Sequence, residues 1–301
     1  MAKKSRDNLR LVRHIVLAIV GLAGLSALFI YLSKGNNWAV LAPAGTIGAQ
    51  QKDLIILTTI LGLFVVVPVF ILLFTIAWKY REGNTKAAYT PNVGGSRKLE
   101  AIWWGIPALI ILVLSIVTWQ STHALDPYKE LAGPKDHMVV QVVSLQYKWL
   151  FMYPELGVAS INYLPFPEKT PMHFQITSDA PMNSFWIPNL GGQVYAMSGM
   201  SSELHLQADG QGIYRGVSAN ISGEGFAKMN FNAQSMTQKD FDAWESSAAS
   251  SKNTLSELTY QDLVSPSTGD AQKTFRLVDA DLYSKIIMKY AGAEGAHGMA
   301  M

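Results

Sequence analysis

Ser218, Ser222, Phe226 and Met229 stand with three, three and two residues between successive positions. Filled by Cys, Cys, His and Met, that spacing is the frame of a dinuclear copper site. Copper there needs thiolates and imidazoles, which are soft or borderline ligands. Two hydroxyls and a phenyl ring cannot replace them, and a chain with no cysteine cannot rebuild the set. Met229 alternates with Lys228 and Asn230 and lies two before Phe231, which suits a thioether packed in a core. The lack of cysteine also excludes disulfides, zinc ribbons, thiol nucleophiles and a lipidated cysteine. The histidines, His14, His123, His137, His173, His205 and His297, show no metal-ligand spacing. His173 and His205 read as satisfied or solvent-facing strand residues. Ser218 and Ser222 lack His/Asp support for nucleophilic catalysis, and no phosphate-cradling glycine loop is present.

The elements that carry this frame begin with three apolar stretches. Ile15–Leu32 follows a basic start, whereas Leu54–Trp78 and Ala101–Trp119 contain no charge at all. A helix needs about 20 apolar residues to cross the hydrocarbon core, so the second and third qualify as spans. Trp78, Trp103, Trp104 and Trp119 lie near their ends as interfacial anchors. The first stretch fits either a third span or a leader cleaved near Ala42-Pro43-Ala44. Lys79, Arg81, Lys86, Arg97 and Lys98 crowd the loop between the second and third spans, which keeps it cytoplasmic. Everything after about residue 121 is then expected on the exported side. Residues 1–120 carry 12 basic and 4 acidic groups, and the remainder 12 basic and 18 acidic. That asymmetry is an orientation signal; no basic patch with interleaved aromatics suggests nucleic acid.

Beyond His123, Val139–Leu145, Met172–Ile176, Ser202–Leu206 and Lys228–Phe231 alternate or run apolar between Gly, Pro, Asn and Asp clusters, which predicts short antiparallel strands. Thr237-Gln-Lys-Asp240 has the form of a helix cap. The expected domains are a leader or anchor at 1–44, a transmembrane helical hairpin at 45–122, an all-β sandwich at 123–236, a helical segment at 237–290 and a disordered tail at 291–301.

The chain resembles subunit II of the haem–copper respiratory oxidases, in particular the cytochrome bo-type ubiquinol oxidase branch. The match is carried by Ala77-Trp-Lys-Tyr-Arg81, Lys98-Leu-Glu-Ala-Ile-Trp103 through Pro107, and Thr118–Pro127. It continues in Val142–Pro154, Met182–Gly191 and Gln193–Met200, and covers roughly Gly45 to Tyr290. The resemblance implies a cupredoxin-like sandwich on a membrane hairpin. It also implies that an upstream copper His is replaced by Asn183, so that the degenerate positions are Asn183, Ser218, Asn220, Ser222, Phe226 and Met229. Subunits of this branch often begin with a lipidated cysteine near Asn36 or Asn37. Its absence here leaves anchoring to the helices.

The resemblance further implies a multi-pass subunit of a bacterial inner-membrane complex that oxidises ubiquinol, reduces oxygen and moves protons. Haems and copper would lie in subunit I, with subunit III and a small subunit IV as further partners, beside membrane lipid and without nucleic acid. This chain would bind no cofactor and hold no catalytic residue. Glu100 reads either as the mouth of a proton channel into subunit I or as an interfacial carboxylate balancing Arg97 and Lys98. Tyr147, Trp149 and Phe151, at strand spacing, are expected to form a packing face against subunit I. A membrane-anchored binding or assembly module without redox role is the alternative from another class, and a cytochrome c oxidase subunit is opposed by the missing ligands.

Overall fold

Uncharged sequence dictates the two longest elements. In the computed structural model, which describes residues 38–82, 84–88, 94–131 and 137–294 and positions 24, 28 and 31, α1 runs Thr46–Lys79 and α2 runs Arg97–Ala124. The expected first span, Ile15–Leu32, lies almost wholly outside the described residues. Both helices are long and apolar enough to cross a membrane. Most of their Leu, Ile, Val and Phe side chains are exposed, the opposite of a soluble core helix. At one end the Arg81 guanidinium sits 4.4 Å from the Trp78 ring centre, and at the other Trp119 and His123 rings are 4.6 Å apart. Ser96 caps α2, accepting from the Leu99 backbone N–H.

The remainder is a sandwich of two sheets. One has seven strands: β1 (Met138–Leu145), β2 (Lys148–Tyr153), β3 (Val158–Ile161), β5 (Met172–Ser178), β8 (Ser202–Leu206), β11 (Thr254–Leu255) and β12 (Lys273–Leu277), in the order β11-β12-β3-β2-β1-β5-β8. The other has five: β4 (Tyr163–Pro167), β6 (Asn183–Trp186), β7 (Val194–Ala196), β9 (Gly212–Ser218) and β10 (Asn230–Met236), in the order β4-β10-β9-β6-β7. Pairing is mostly antiparallel, but β1 with β5, β4 with β10 and β11 with β12 are parallel. Alternation along each strand sends Trp149, Phe151, Phe174, Phe185 and Phe231 between the sheets, all nearly or wholly buried. Each such side chain contributes about 1.5–3 kcal/mol by leaving water.

The segment after Met236 is helical in α3 (Gln238–Ala249), α4 (Glu257–Val264) and α5 (Leu282–Glu294). Thr237 caps α3, accepting from the Asp240 N–H at 3.1 Å, as its sequence indicates. Two findings correct the expectation of a helical segment followed by a disordered tail. The segment also supplies β11 and β12, and β12 extends the sandwich by pairing with β3. In addition, α5 continues to Glu294, past the predicted boundary at residue 290. This segment covers the outer face of the seven-stranded sheet. A second core forms there, where Val143, Leu145, Leu150, Met152 and Ile161 meet Leu255, Tyr260, Phe275, Leu282 and Ile286.

The start of α1 is built into the sandwich. Ala44 N–H donates to the Asn189 carbonyl at 2.7 Å, Gly48 N–H to that of Leu190 at 2.9 Å, and Asp209 N–H to that of Ala44 at 2.8 Å. Ala44 and Ile47 pack on the inter-sheet core. A Cβ at Gly45 would collide with the Gln207 carbonyl, so the backbone approach there requires glycine.

Candidate functional site

The degenerate frame occupies one end of the sandwich, where β9 ends, β6 begins and a loop returns to β10. Pairing sets the positions: Phe185 of β6 lies opposite Ser218 of β9, which puts Asn183 within reach of the Ser218 side chain. Ser218 Oγ donates to Asn183 Oδ1 at 2.5 Å, and Asn183 Nδ2 donates to the Pro181 carbonyl at 3.0 Å. Ser218 N–H donates to the Met229 carbonyl at 3.2 Å, while Asn220 Nδ2 donates to the Met182 carbonyl at 2.8 Å. Three of the expected positions, Asn183, Ser218 and Met229, therefore converge, and all are buried. Asn220 ties the loop to the turn before β6. Ser222 and Phe226 lie farther along the loop and are half-buried; the Ser222 hydroxyl has no partner among the described residues. Met229 is a core side chain, as its sequence neighbours indicate. It closes a 3₁₀ turn at Phe226–Lys228 rather than lying in the strand, which begins at Asn230.

Chemically the cluster is neutral. It offers hydroxyls, a carboxamide, a phenyl ring and one thioether, a set that does not fit a copper pair. The Ser218–Asn183 bond takes up the polarity that a metal would otherwise compensate. Tyr147 lies against this loop. Its backbone is left-handed, with φ of 97°, in the two-residue turn that joins β1 and β2. A Cβ at Gly223 or Gly225 would strike the Tyr147 ring, so the loop is shaped around that side chain.

The expected aromatic packing face is corrected for two of its three members. Trp149 and Phe151 have no exposure, because β2 sends them into the inter-sheet core against Phe185 and Phe231. They present nothing to a neighbouring subunit. Tyr147, half-buried, faces the degenerate loop. Glu100 lies exposed in the first turn of α2, where the helix dipole favours a carboxylate, and its Oε1 hangs over Gly95.

Sequence reading missed a charged centre under the C-terminal segment. Asp179, just beyond β5, has a fully buried carboxylate. It accepts from Tyr260 Oη at 2.7 Å, from Lys289 Nζ at 2.7 Å and from the Tyr290 hydroxyl. The hydrogen bond to Asp179 raises the Lys289 ammonium above its ordinary pKa, and burial followed by the same carboxylate raises the Tyr260 phenol. Lys148 makes a second tie, its buried ammonium donating to the Ser265 carbonyl at 3.1 Å and the Ser267 hydroxyl, with Asp270 at 3.7 Å. In sequence, Asp179 stands two before Pro181 and Lys148 one before Trp149, with nothing local to mark either. Their partners lie about 80 to 120 positions away, beyond any local pattern. His173 and His205, expected as satisfied or solvent-facing strand residues, are cross-strand partners with stacked rings.

Comparison with known proteins gives consistent matches. The family described as the COX Aromatic Rich Motif matches residues 249–294, the segment from the end of α3 through α5. The "Cytochrome bo(3) ubiquinol oxidase subunit 2" of Pseudomonas putida is 45% identical over 268 residues, 89% of this chain and 85% of its own. The "Ubiquinol oxidase subunit 2" of Acetobacter aceti is 42% identical over 274 residues, 90% and 88% of the two chains. Among solved structures, the periplasmic domain of subunit II of cytochrome oxidase from Bradyrhizobium japonicum aligns with 38% of this chain and 96% of its own. The identity there is 20% and the TM-score 0.36.

Proposed function

This chain belongs to the quinol oxidase subunit 2 family, and we propose that it is the subunit without a redox centre in a proton-pumping terminal oxidase of a bacterial inner membrane. Ubiquinol is the electron donor of the complex, and oxygen is reduced to water elsewhere in it. The haems and copper belong to subunit I, and subunits III and IV complete the assembly. The observation that carries the reading is the neutral Ser218–Asn183 pair at the converging ligand positions. Electrons from a soluble cytochrome c have no relay there, so they reach the complex from the membrane.

The role left to this chain is mechanical and protonic. The hairpin α1–α2 lies in the membrane with its basic loop in the cytoplasm, and the sandwich sits on the periplasmic side over subunit I. Glu100, at the cytoplasmic end of α2, contributes to the proton entrance. Glu100→Gln then slows turnover while leaving assembly intact; unchanged turnover would remove that assignment.

The deciding experiment feeds the complex purified with this chain in mild detergent either reduced quinol or reduced cytochrome c and follows oxygen uptake. Uptake with quinol alone supports the reading. Uptake from cytochrome c overturns the assignment of the donor. A preparation without haem or oxygen uptake would point instead to a binding or assembly module.

A further inference from the structure

The chain leaving α2 is fastened to the sandwich at a histidine cluster that none of the foregoing uses. His173 on β5 and His205 on β8 lie directly opposite each other on the outer face, their rings stacked at 4.4 Å and 14°. His205 binds the linker twice: both its backbone N–H and its ring Nδ1 meet the Pro127 carbonyl at 3.1 Å. A carbonyl can only accept, so Nδ1 carries the proton and Nε2 holds a lone pair. That Nε2 is buried with no hydrogen-bond partner among the described residues. His137 completes the fastening, with Nε2 at 3.0 Å from the Leu131 carbonyl and its ring edge-on to His205 at 6.0 Å.

We propose that the His173–His205 stack is a proton-operated latch, holding the linker after α2 on the sandwich while His173 is neutral and loosening it when His173 takes up a proton. The proton comes from the aqueous phase bathing the sandwich. A charge taken up by His173 in this partly buried site costs desolvation, so protonation disfavours the buried, stacked geometry. Glu203 is the alternative partner. Its Oε2 lies 3.5 Å from His173 Nε2, within reach of a short swing that would pair a charged His173 with the carboxylate and uncover His205.

Among the described residues the surroundings supply no other strong charge to the pair. From β8 comes Glu203, from the lead-in to β1 His137, and from α5 Tyr283, whose hydroxyl bonds Ser201. The β1 residues opposite β5, Val139 and Gln141, are uncharged. Of the linker's charges, Asp126, Lys129 and Glu130 are exposed, and Lys135 and Asp136 lie outside the described residues. Burial first, and His205 second, hold the His173 imidazole below its ordinary pKa, against the opposing pull of Glu203, which favours the neutral stack near pH 7.

The test is hydrogen exchange in the intact complex, reading peptides that contain residues 125–131 and 203–207 at pH 7.5 and 5.5, corrected for intrinsic rates. Protection should fall at the lower pH. The fall is bounded at about tenfold for each unit separating the His173 pKa in the docked and released linker. His173→Phe keeps a stacked ring but cannot take a proton, and its protection should no longer depend on pH. His173→Gln serves the same purpose should Phe disturb the fold. Because the chain has no cysteine, Tyr128→Cys gives a single site in it for a spin label whose mobility follows the linker directly. Equal protection at both pH values, or a fall that survives in both His173 variants, would overturn the latch. Oxygen uptake does not enter this readout, so the latch and the quinol oxidase reading fail separately.

Discussion

The two polar centres of the sandwich differ in charge and in what surrounds them. At the β9–β10 end, Ser218 and Asn183 form a neutral bond at the positions proposed as degenerate metal ligands. Under the C-terminal segment, Asp179 and Lys148 are ionic, buried and tied to residues far away in the chain. Buried charge is often a sign of catalysis, but structural ion networks produce it too. Here the charged centre holds a covering segment on a sheet, and the frame proposed as a degenerate copper site is neutral packing. Strong electrostatics therefore marks where this fold is closed, not where it would react.

That contrast can be broken by substitution. Trp149→Ala sets the upper scale, because it empties the inter-sheet core and should cost about 3–5 kcal/mol in denaturant unfolding of the sandwich. Asp179→Ala should come next at about 3 kcal/mol, since three donors lose a fully buried acceptor. The lower end of the range applies because the Lys289 side chain is 52% exposed and can regain water. Limited proteolysis should then cut the segment after Ala249 first. Lys148→Met should cost about 1–2 kcal/mol by the same assay, because Asp270 remains partly solvated. Ser218→Ala should cost about 1 kcal/mol or less and leave quinol-driven oxygen uptake unchanged. A Ser218→Ala loss equal to that of Asp179→Ala would dissolve the comparison.

The smallest effect is on pH dependence. The folded-state pKa of His173 is lowered, so the unfolded chain binds the extra proton first. Its contribution is fully present above the unfolded value of about 6.5 and declines as pH falls through and below it. Melting temperature should drop on acidification in that window, and by less in His173→Gln.

What the sequence revealed depended on whether a residue's partners were near it in the chain. Uncharged runs located α1 and α2, and alternation located β1, β5 and β8, because each signal is local. Lys148–Tyr153 is buried on both faces, and periodicity alone cannot say so. Its outer face, Leu150 and Met152, is covered by a segment more than a hundred residues later, while Trp149 and Phe151 turn into the inter-sheet core. Thr254–Leu255 is too short to signal a strand, and Lys273–Leu277 lies among helical turns. Spacing identified the Ser218–Met229 frame, but the hydrogen bond that closes it joins positions 35 apart.

The attachment of both membrane helices to one strip of the sandwich has a mechanical consequence. The start of α1 is pressed against Gln207, and the chain leaving α2 is bonded to His205, two residues earlier. Along an extended backbone those points are about 7 Å apart. The helix ends are thus pinned like the jaws of tweezers at their hinge, while the opposite ends are joined through the loop at 80–96. Splaying of the hairpin would pivot about that short strip, and the sandwich would turn with it as a lever.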